Sequence, residues 1–419
     1  MSIFKPADIL VPRDIDFEKW SVVACDQFTS EPEYWEKAAE IAGSSPSTLN
    51  IIFPEAYLGA GGSAERIEKI NSTMREYLDS GLFEEHKNSF IYVERALSCG
   101  KVRRGLVGSI DLEEYDFSKG SSSRVRATEG TITERIPPRQ RIRENAPLEL
   151  PHIIMLIDDR EKTVIEPLKA KKAEFLKLYD FELMLGGGHI AGYKVSREAT
   201  REIIKAFEQL EDAAVIEKKY GAARGSSLVI AAGDGNHSLA TAKTCWDRIK
   251  QELTPQQAET HPARYALVEL ENIHDSALEF EPIQRVVFDI DPPELIKSLT
   301  EYYSSASFED NGGQRIEYTY RGEQGAVYIS DPPSRLAVGT LQSFLDKYIA
   351  EHGGRIDYIH GIDVVKKLSE KPNTIGFMVA AMEKNELFET VIKDGALPRK
   401  TFSMGEAEDK RYYLECKRI

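Results

Sequence analysis

Apolar positions along the chain follow two rhythms. In "SAERIEKINSTMREYLDSGLF", Ile67, Ile70, Met74 and Leu78 recur at three- and four-residue steps, which predicts a long amphipathic helix. "SEPEYWEKAAEIAG" predicts a second helix, with Ser30 as N-cap, Pro32 in its first turn and Gly43 just past its end. Short unbroken apolar runs predict buried strands instead. "WSVVACDQF" (Trp20 to Phe28), "FIYVERAL", "RRGLVGSIDLEEY", "HIIMLIDD", "ARYALVELEN" and "IQRVVFDI" are of this kind. "TVIEPLKAKKAEFLKLYDFEL" reads as helical at its centre, and "NHSLATAKTCWDRIKQEL" as a helix that follows the strand-like "SSLVIAAG". Helices and strands interleave throughout, so the expected fold class is α/β to α+β, with mixed sheets.

The period breaks between Asp116 and Pro151, in a stretch rich in Ser, Gly, Pro and Arg. Irregular segments of that length inside compact chains are often functional. With 419 residues, one core is not expected to serve the whole chain. The expected division is an N-terminal α/β domain (1–115), a central α/β region (116–290) and a C-terminal α+β region (291–419).

Composition narrows the function classes. Hydrophobic residues make up 41% and charged residues 29%, an ordinary globular balance. The net charge of -15 speaks against a protein that tracks nucleic-acid phosphates. The four cysteines are scattered, as in reduced cytosolic proteins, and no zinc spacing occurs. No signal peptide or uncharged membrane-length stretch is present, so a cytoplasmic location is expected, without a membrane partner.

The strongest chemical signal is "VIAAGDGNHSLATAK", Val229 to Lys243. A strand delivers the chain to Gly233-Asp234-Gly235, and a helix starts at once. The first N–H groups of such a helix lack internal partners and suit phosphate oxygens. Asp234 is a candidate magnesium ligand or proton acceptor. Gly235, Asn236, His237 and Ser238 are candidates for holding phosphate, and Lys243 for charge neutralisation. The same residues also suit a plain helix cap. "LGGGHIAGYKV" offers His189 as a substrate contact, or a glycine-rich hairpin. In "RVRATEGTITERIPPRQRIRENAP", Glu129 is a candidate base. Arg141 and Arg143 are candidate forks for a carboxylate or phosphate. Arg285, in "NIHDSALEFEPIQRVVF", is another. Cys25 reads as buried and inert, and His152 as a partner of nearby backbone. No G-x-G-x-x-G, Walker or G-x-S-x-G motif occurs.

"WSVVACDQFTSEPEYW", "ELMLGGGHIAGYKV", "AAGDGNHSLATAK", "PARYALVELENIHDSALEFEPIQRVVF" and "LPRKTFSMG" together resemble the bacterial family known as domain of unknown function 1015. Many of its members carry Asp-Gly-His-His-Arg where this chain has Asp234 to Ser238. That pattern is similar to a turn of the ParB/sulfiredoxin-like nucleotide-binding fold, which includes free serine kinases. The resemblance implies a core of that kind whose turn cradles nucleotide phosphates. It further implies an acidic base for a substrate hydroxyl. Here Ser238 replaces the arginine and Asn236 the first histidine. Lys243 or the arginines of 124–143 would have to supply the missing charge.

The expected function is a phosphotransferase using ATP or ADP with magnesium. Its substrate would be a small hydroxylated metabolite such as free serine. Asp234, His237 and Glu129 would do the chemistry. Arg141, Arg143, His189 and Arg285 would hold the substrate. A nucleotide-responsive binding protein and an Asp/His hydrolase are the alternatives.

Overall fold

The computed structural model describes residues 2–58, 61–118, 120–221 and 228–419. Ser226 and Ser227 of the expected strand lie outside them. The chain forms two compact units, Met1–Leu278 with Gly405–Ile419, and Glu279–Met404. The boundary drawn after residue 115 from sequence falls inside the first unit, because strands from both sides of it share one sheet.

That sheet comprises β1 (Phe4–Lys5), β2 (Ile91–Ala96), β3 (Val102–Asp111), β4 (Tyr115–Asp116), β5 (Val125–Ala127), β6 (Ile154–Ile157), β7 (Leu176–Glu182), β8 (His189–Lys194), β9 (Ile230–Asp234) and β10 (Tyr265–Asn272). Their order is β7-β8-β2-β3-β10-β6-β9-β5-β4, with β1 on β3. Both β5–β9 and β6–β10 are parallel, whereas β6–β9 is antiparallel. Side chains alternate across each strand. Ala266, Val268 and Leu270 of β10 therefore join one core, under α4 (Arg197–Leu210) and α5 (Asn236–Ile249). Leu267 joins the other core, against α1 (Pro32–Ala42) and α2 (Ser63–Asp79). Helices thus cover both faces, an α/β arrangement.

The last residues of the chain complete the second face. Leu10 and Cys416 pair through their backbones, Tyr413 N–H donates to Val22 O at 2.8 Å, and Trp20 Nε1–H donates to Leu414 O at 2.9 Å. This contact corrects the reading of Trp20 to Phe28 as a strand. Trp20 closes a helical turn (Phe17–Trp20), Val23 makes a single bridge to Tyr412, and the following residues turn. The run is apolar because it is buried against the tail, not because it belongs to a sheet. Glu31, not Ser30, is the N-cap of α1. The stretch read as helical at its centre is so over Leu168–Lys171 and Lys172–Glu174, and Leu176–Glu182 after it is a strand.

Charges are buried between tail and sheet. Arg411 meets Glu269 and Glu415, each at 2.7 Å, and donates to Pro151 O at 2.7 Å. Gly105 makes room, since a Cβ there would stand 2.1 Å from Glu269 Oε1.

The second unit carries an antiparallel sheet of six strands: β11 (Gln284–Phe288), β12 (Ala306–Ser307), β13 (Gln314–Tyr320), β14 (Glu323–Ile329), β15 (Arg355–Ile359) and β16 (Thr374–Met378). Their order is β12-β14-β13-β16-β11-β15. Val365, from the helix Ile362–Ser369, packs with Val286, Phe288 and Met378. The unit's two ends meet in a short pairing of Glu281–Pro282 with Phe402–Ser403.

Candidate functional site

β9 ends at Asp234 and α5 begins at Asn236, with Gly235 alone between them at φ 76°. Residues with a Cβ rarely adopt that conformation. Space is tight as well, because a Cβ on Gly235 would lie 3.0 Å from Ile153 Cα and the neighbour would have to give. No side chain caps α5. Asp234, expected as a possible cap, instead accepts from Gly235 N–H at 3.0 Å, and its other oxygen faces Lys410 Nζ at 3.5 Å. Asn236 Oδ1 is buried without a partner.

The basic stretch folds over this turn. Thr128 Oγ1 donates to Ala232 O at 2.7 Å, and the backbone N–H of Ile132 donates to His237 Nε2 at 3.3 Å. Ala127 pairs with Ala232 in the parallel β5–β9 ladder. Glu129 and Asp234, each two residues further on, therefore leave the carboxyl ends of neighbouring parallel strands. Binding crevices of open α/β sheets commonly form at such ends.

A second layer of polar groups comes from three distant segments. His152, just before β6, places Nε2 3.3 Å from Ser238 Oγ and 3.7 Å from Asp26 Oδ2. Its Nδ1 lies 2.7 Å from Tyr413 OH. Tyr413 OH also accepts from Cys25 N–H at 3.2 Å. Burial would raise the Asp26 carboxyl, but His152, Gln27 and Lys410 outweigh it and hold the group below the usual range. Glu55 is pushed upward by burial, which its pair with Arg139 only partly offsets. Burial and then Asp26 push the Cys25 thiol up to about 12, so it stays protonated and a poor nucleophile.

Asp26, His152 and Ser238 are not a hydrolytic triad. Such a triad needs the carboxylate on the imidazole nitrogen opposite the serine. Here both oxygens face Nε2 and Tyr413 occupies the other side.

Several expected site residues are engaged elsewhere. Lys243 pairs with Asp247 one turn along α5, at 2.7 Å. Arg143 holds Glu149 at 2.5 Å, and Arg141 is exposed on α3 (Ile136–Arg143). His189 pairs with Asp180 at 2.9 Å on β8, five strands from β9 in the sheet. Arg285 belongs to the second unit, where its guanidinium meets Gln342 Oε1 at 3.2 Å and Arg399 O at 2.9 Å. Asp234, Gly235, Asn236, His237, Ser238 and Glu129 remain together at one end of the sheet.

Residues 9–414 match the family described as "Protein of unknown function (DUF1015)". The chain belongs to this family. No curated protein matches this chain. Among solved structures, it is similar to a mutant free serine kinase in complex with ADP, at 12% identity and a TM-score of 0.36, over 75% of this chain and 89% of that one. SbnI from Staphylococcus aureus, truncated at its C-terminus, is similar at 9% identity and a TM-score of 0.34, over 74% and 82%. A conserved hypothetical protein from Pyrococcus furiosus is similar at 12% identity and a TM-score of 0.33, over 74% and 90%.

In this DUF1015 chain, sequence reasoning missed Asp26, Glu55, Lys410 and Tyr413, and it gave His152 backbone partners where the structure gives side chains. Asp26 and Tyr413 sit in apolar runs, and only a contact between chain ends brings them to the turn. The one available signal was a carboxylate directly after the apolar run "VVAC". Among the described residues, no helix is long and apolar enough to cross a membrane.

Proposed function

We propose that this protein is a nucleotide-using phosphotransferase acting on a small hydroxylated metabolite, free serine being one example. The observation that carries the reading is the uncapped start of α5, entered through a glycine in the left-handed region with little room for a side chain. The N–H groups of a helix's first turn and the positive end of the helix dipole favour an anion there. Gly235, Asn236, His237 and Ser238 would line the phosphates.

Phosphoryl transfer asks mainly for positioning and neutralised charge. The acceptor hydroxyl would give its proton to a carboxylate as its oxygen bonds to the terminal phosphorus. The bond from that phosphorus to the bridging oxygen breaks, and the nucleotide leaves one phosphate shorter, with the electron pair on that oxygen. Asp234 and Glu129 are the carboxylates at the strand ends, and Asp26 beside His152 is a third. Among the described residues no group of three or more His, Cys, Asp or Glu could hold a metal ion. A magnesium ion carried by the nucleotide needs only one or two protein carboxylates. Asp234 would hold it, and it would supply neutralisation of phosphate charge.

A thermal-shift series with ATP, ADP, CTP, GTP and pyrophosphate, each with and without magnesium, tests the reading. A ligand that binds only the folded state raises Tm by mass action. A nucleotide-dependent rise that disappears in His237→Ala is expected, followed by turnover in a hydroxy-metabolite panel. Absence of any rise would refute nucleotide binding. A rise without turnover of any metabolite would instead assign a nucleotide-responsive binding protein.

A further inference from the structure

The turn lacks a cation of its own, since Ser238 stands where an arginine fork would meet phosphate. Lys243 and Arg143 are spent on Asp247 and Glu149. One lysine does face the turn, and it comes from the chain's last segment. Lys410 Nζ is 3.5 Å from Asp234 Oδ2, and its side chain is only 13% exposed. It also lies close enough to Asp26 to lower that carboxyl.

Its neighbours are fixed. Asp409 accepts from Ser98 N–H at 2.8 Å and from Ser98 Oγ at 2.9 Å, and its carbonyl accepts from Arg103 Nη1 at 2.9 Å. Arg411 is locked by Glu269, Glu415 and Pro151 O. The backbone at Lys410 is extended, with φ -67° and ψ 165°. Asp409, which ends a short 3-10 turn, and Arg411 hold the segment on either side of Lys410, whose ammonium faces Asp234.

The ammonium itself is poorly served. Among the described residues its side chain closes no hydrogen bond, and Asp234 is its single charge partner within 4 Å. A nearly buried ammonium with three unspent donors is costly unless something anionic completes it. Beside it, the buried Asn236 Oδ1 also lacks a partner. Two unsatisfied polar groups flank one uncapped helix start.

We infer that Lys410 is the phosphate-binding cation of this site, delivered by the segment Gly405–Ile419 in place of the arginine that the turn lacks. The inference rests on the nucleotide reading above and adds the residue that makes it electrostatically complete. Lys410 would swing from Asp234 to the terminal phosphates of a nucleotide or to pyrophosphate. A lysine does this as a point charge, without the bidentate geometry of arginine.

Titration calorimetry on the full chain, with pyrophosphate and with ADP plus magnesium, tests it. Lys410→Met is expected to weaken both ligands at least tenfold, while Lys410→Arg recovers most of the affinity. The ligand-free Tm of Lys410→Met should stay level or rise, because a loosely paired buried charge has been removed. A purely structural lysine would lower it. If the wild-type protein binds and Lys410→Met and Lys410→Gln bind equally well, the assignment of Lys410 fails and the nucleotide reading survives. If the wild-type protein binds neither ligand, both fall together.

Discussion

At the scale of single residues, Gly235 and Asp234 separate shape from charge. Gly235→Ala forces a Cβ into the left-handed region and to within 3.0 Å of Ile153 Cα. The backbone cost alone is about 1–2 kcal/mol. The variant should lose roughly that much stability in urea unfolding, together with its nucleotide response. Asp234→Asn keeps an oxygen for Gly235 N–H and loses only the charge that faces Lys410. It should abolish turnover while Tm moves by only a few degrees. A large fall in Tm would mean that Asp234 is there to hold the turn. The turn itself could be read from sequence because its grammar is local: glycine, carboxylate, glycine, then a helix. Lys410, Tyr413 and Asp26 could not be read, because nothing within ten residues of each says what it will face.

At the scale of elements, one carboxylate fastens three of them. Asp158, just beyond β6, meets His274 after β10 at 2.6 Å. It also meets Lys219 at 2.8 Å and accepts from Tyr220 OH at 2.6 Å, both at the end of the helix Ala213–Tyr220. Burial alone would raise its pKa, but these donors outweigh it and hold the carboxyl at about 2, below the ordinary 3.8. A depressed acid stabilises the fold at pH values above its unfolded pKa. That contribution, about 2 kcal/mol, is lost as pH falls from about 4 to 2. Acid unfolding of Asp158→Asn should lack this share of the pH dependence, and an unchanged acid limb would refute the assignment. Most helices and strands were legible in the period of apolar residues, including α2, α5 and β10. The failures have a common cause. Trp20 to Phe28 and the tail around Tyr412 are apolar through burial against each other, and periodicity does not record a partner nearly 400 positions away.

At the scale of the whole molecule, the chain builds two cores. The second unit, Glu279–Met404, has its own sheet and its own buried cluster around Val286 and Val365. Calorimetry is expected to resolve two transitions, and a single one with matching calorimetric and van't Hoff enthalpies would refute separate cores. Net charge also acts at this scale. A surface field of -15 repels an anionic ligand, so a local cation such as Lys410 has to work against it.

The return of Gly405–Ile419 to the first unit sets an order of events during synthesis. A ribosome emits Met1–Leu278 first, yet Trp20, Val22 and Glu269 wait for Leu414, Tyr413 and Arg411. At typical elongation rates the intervening stretch takes on the order of ten seconds. The inserted unit can finish folding in that interval, while the older part of the chain still exposes the face its last residues will cover. Newly made protein should therefore depend on chaperones for its N-terminal part, and a stalled or prematurely released chain should be cleared rather than rescued.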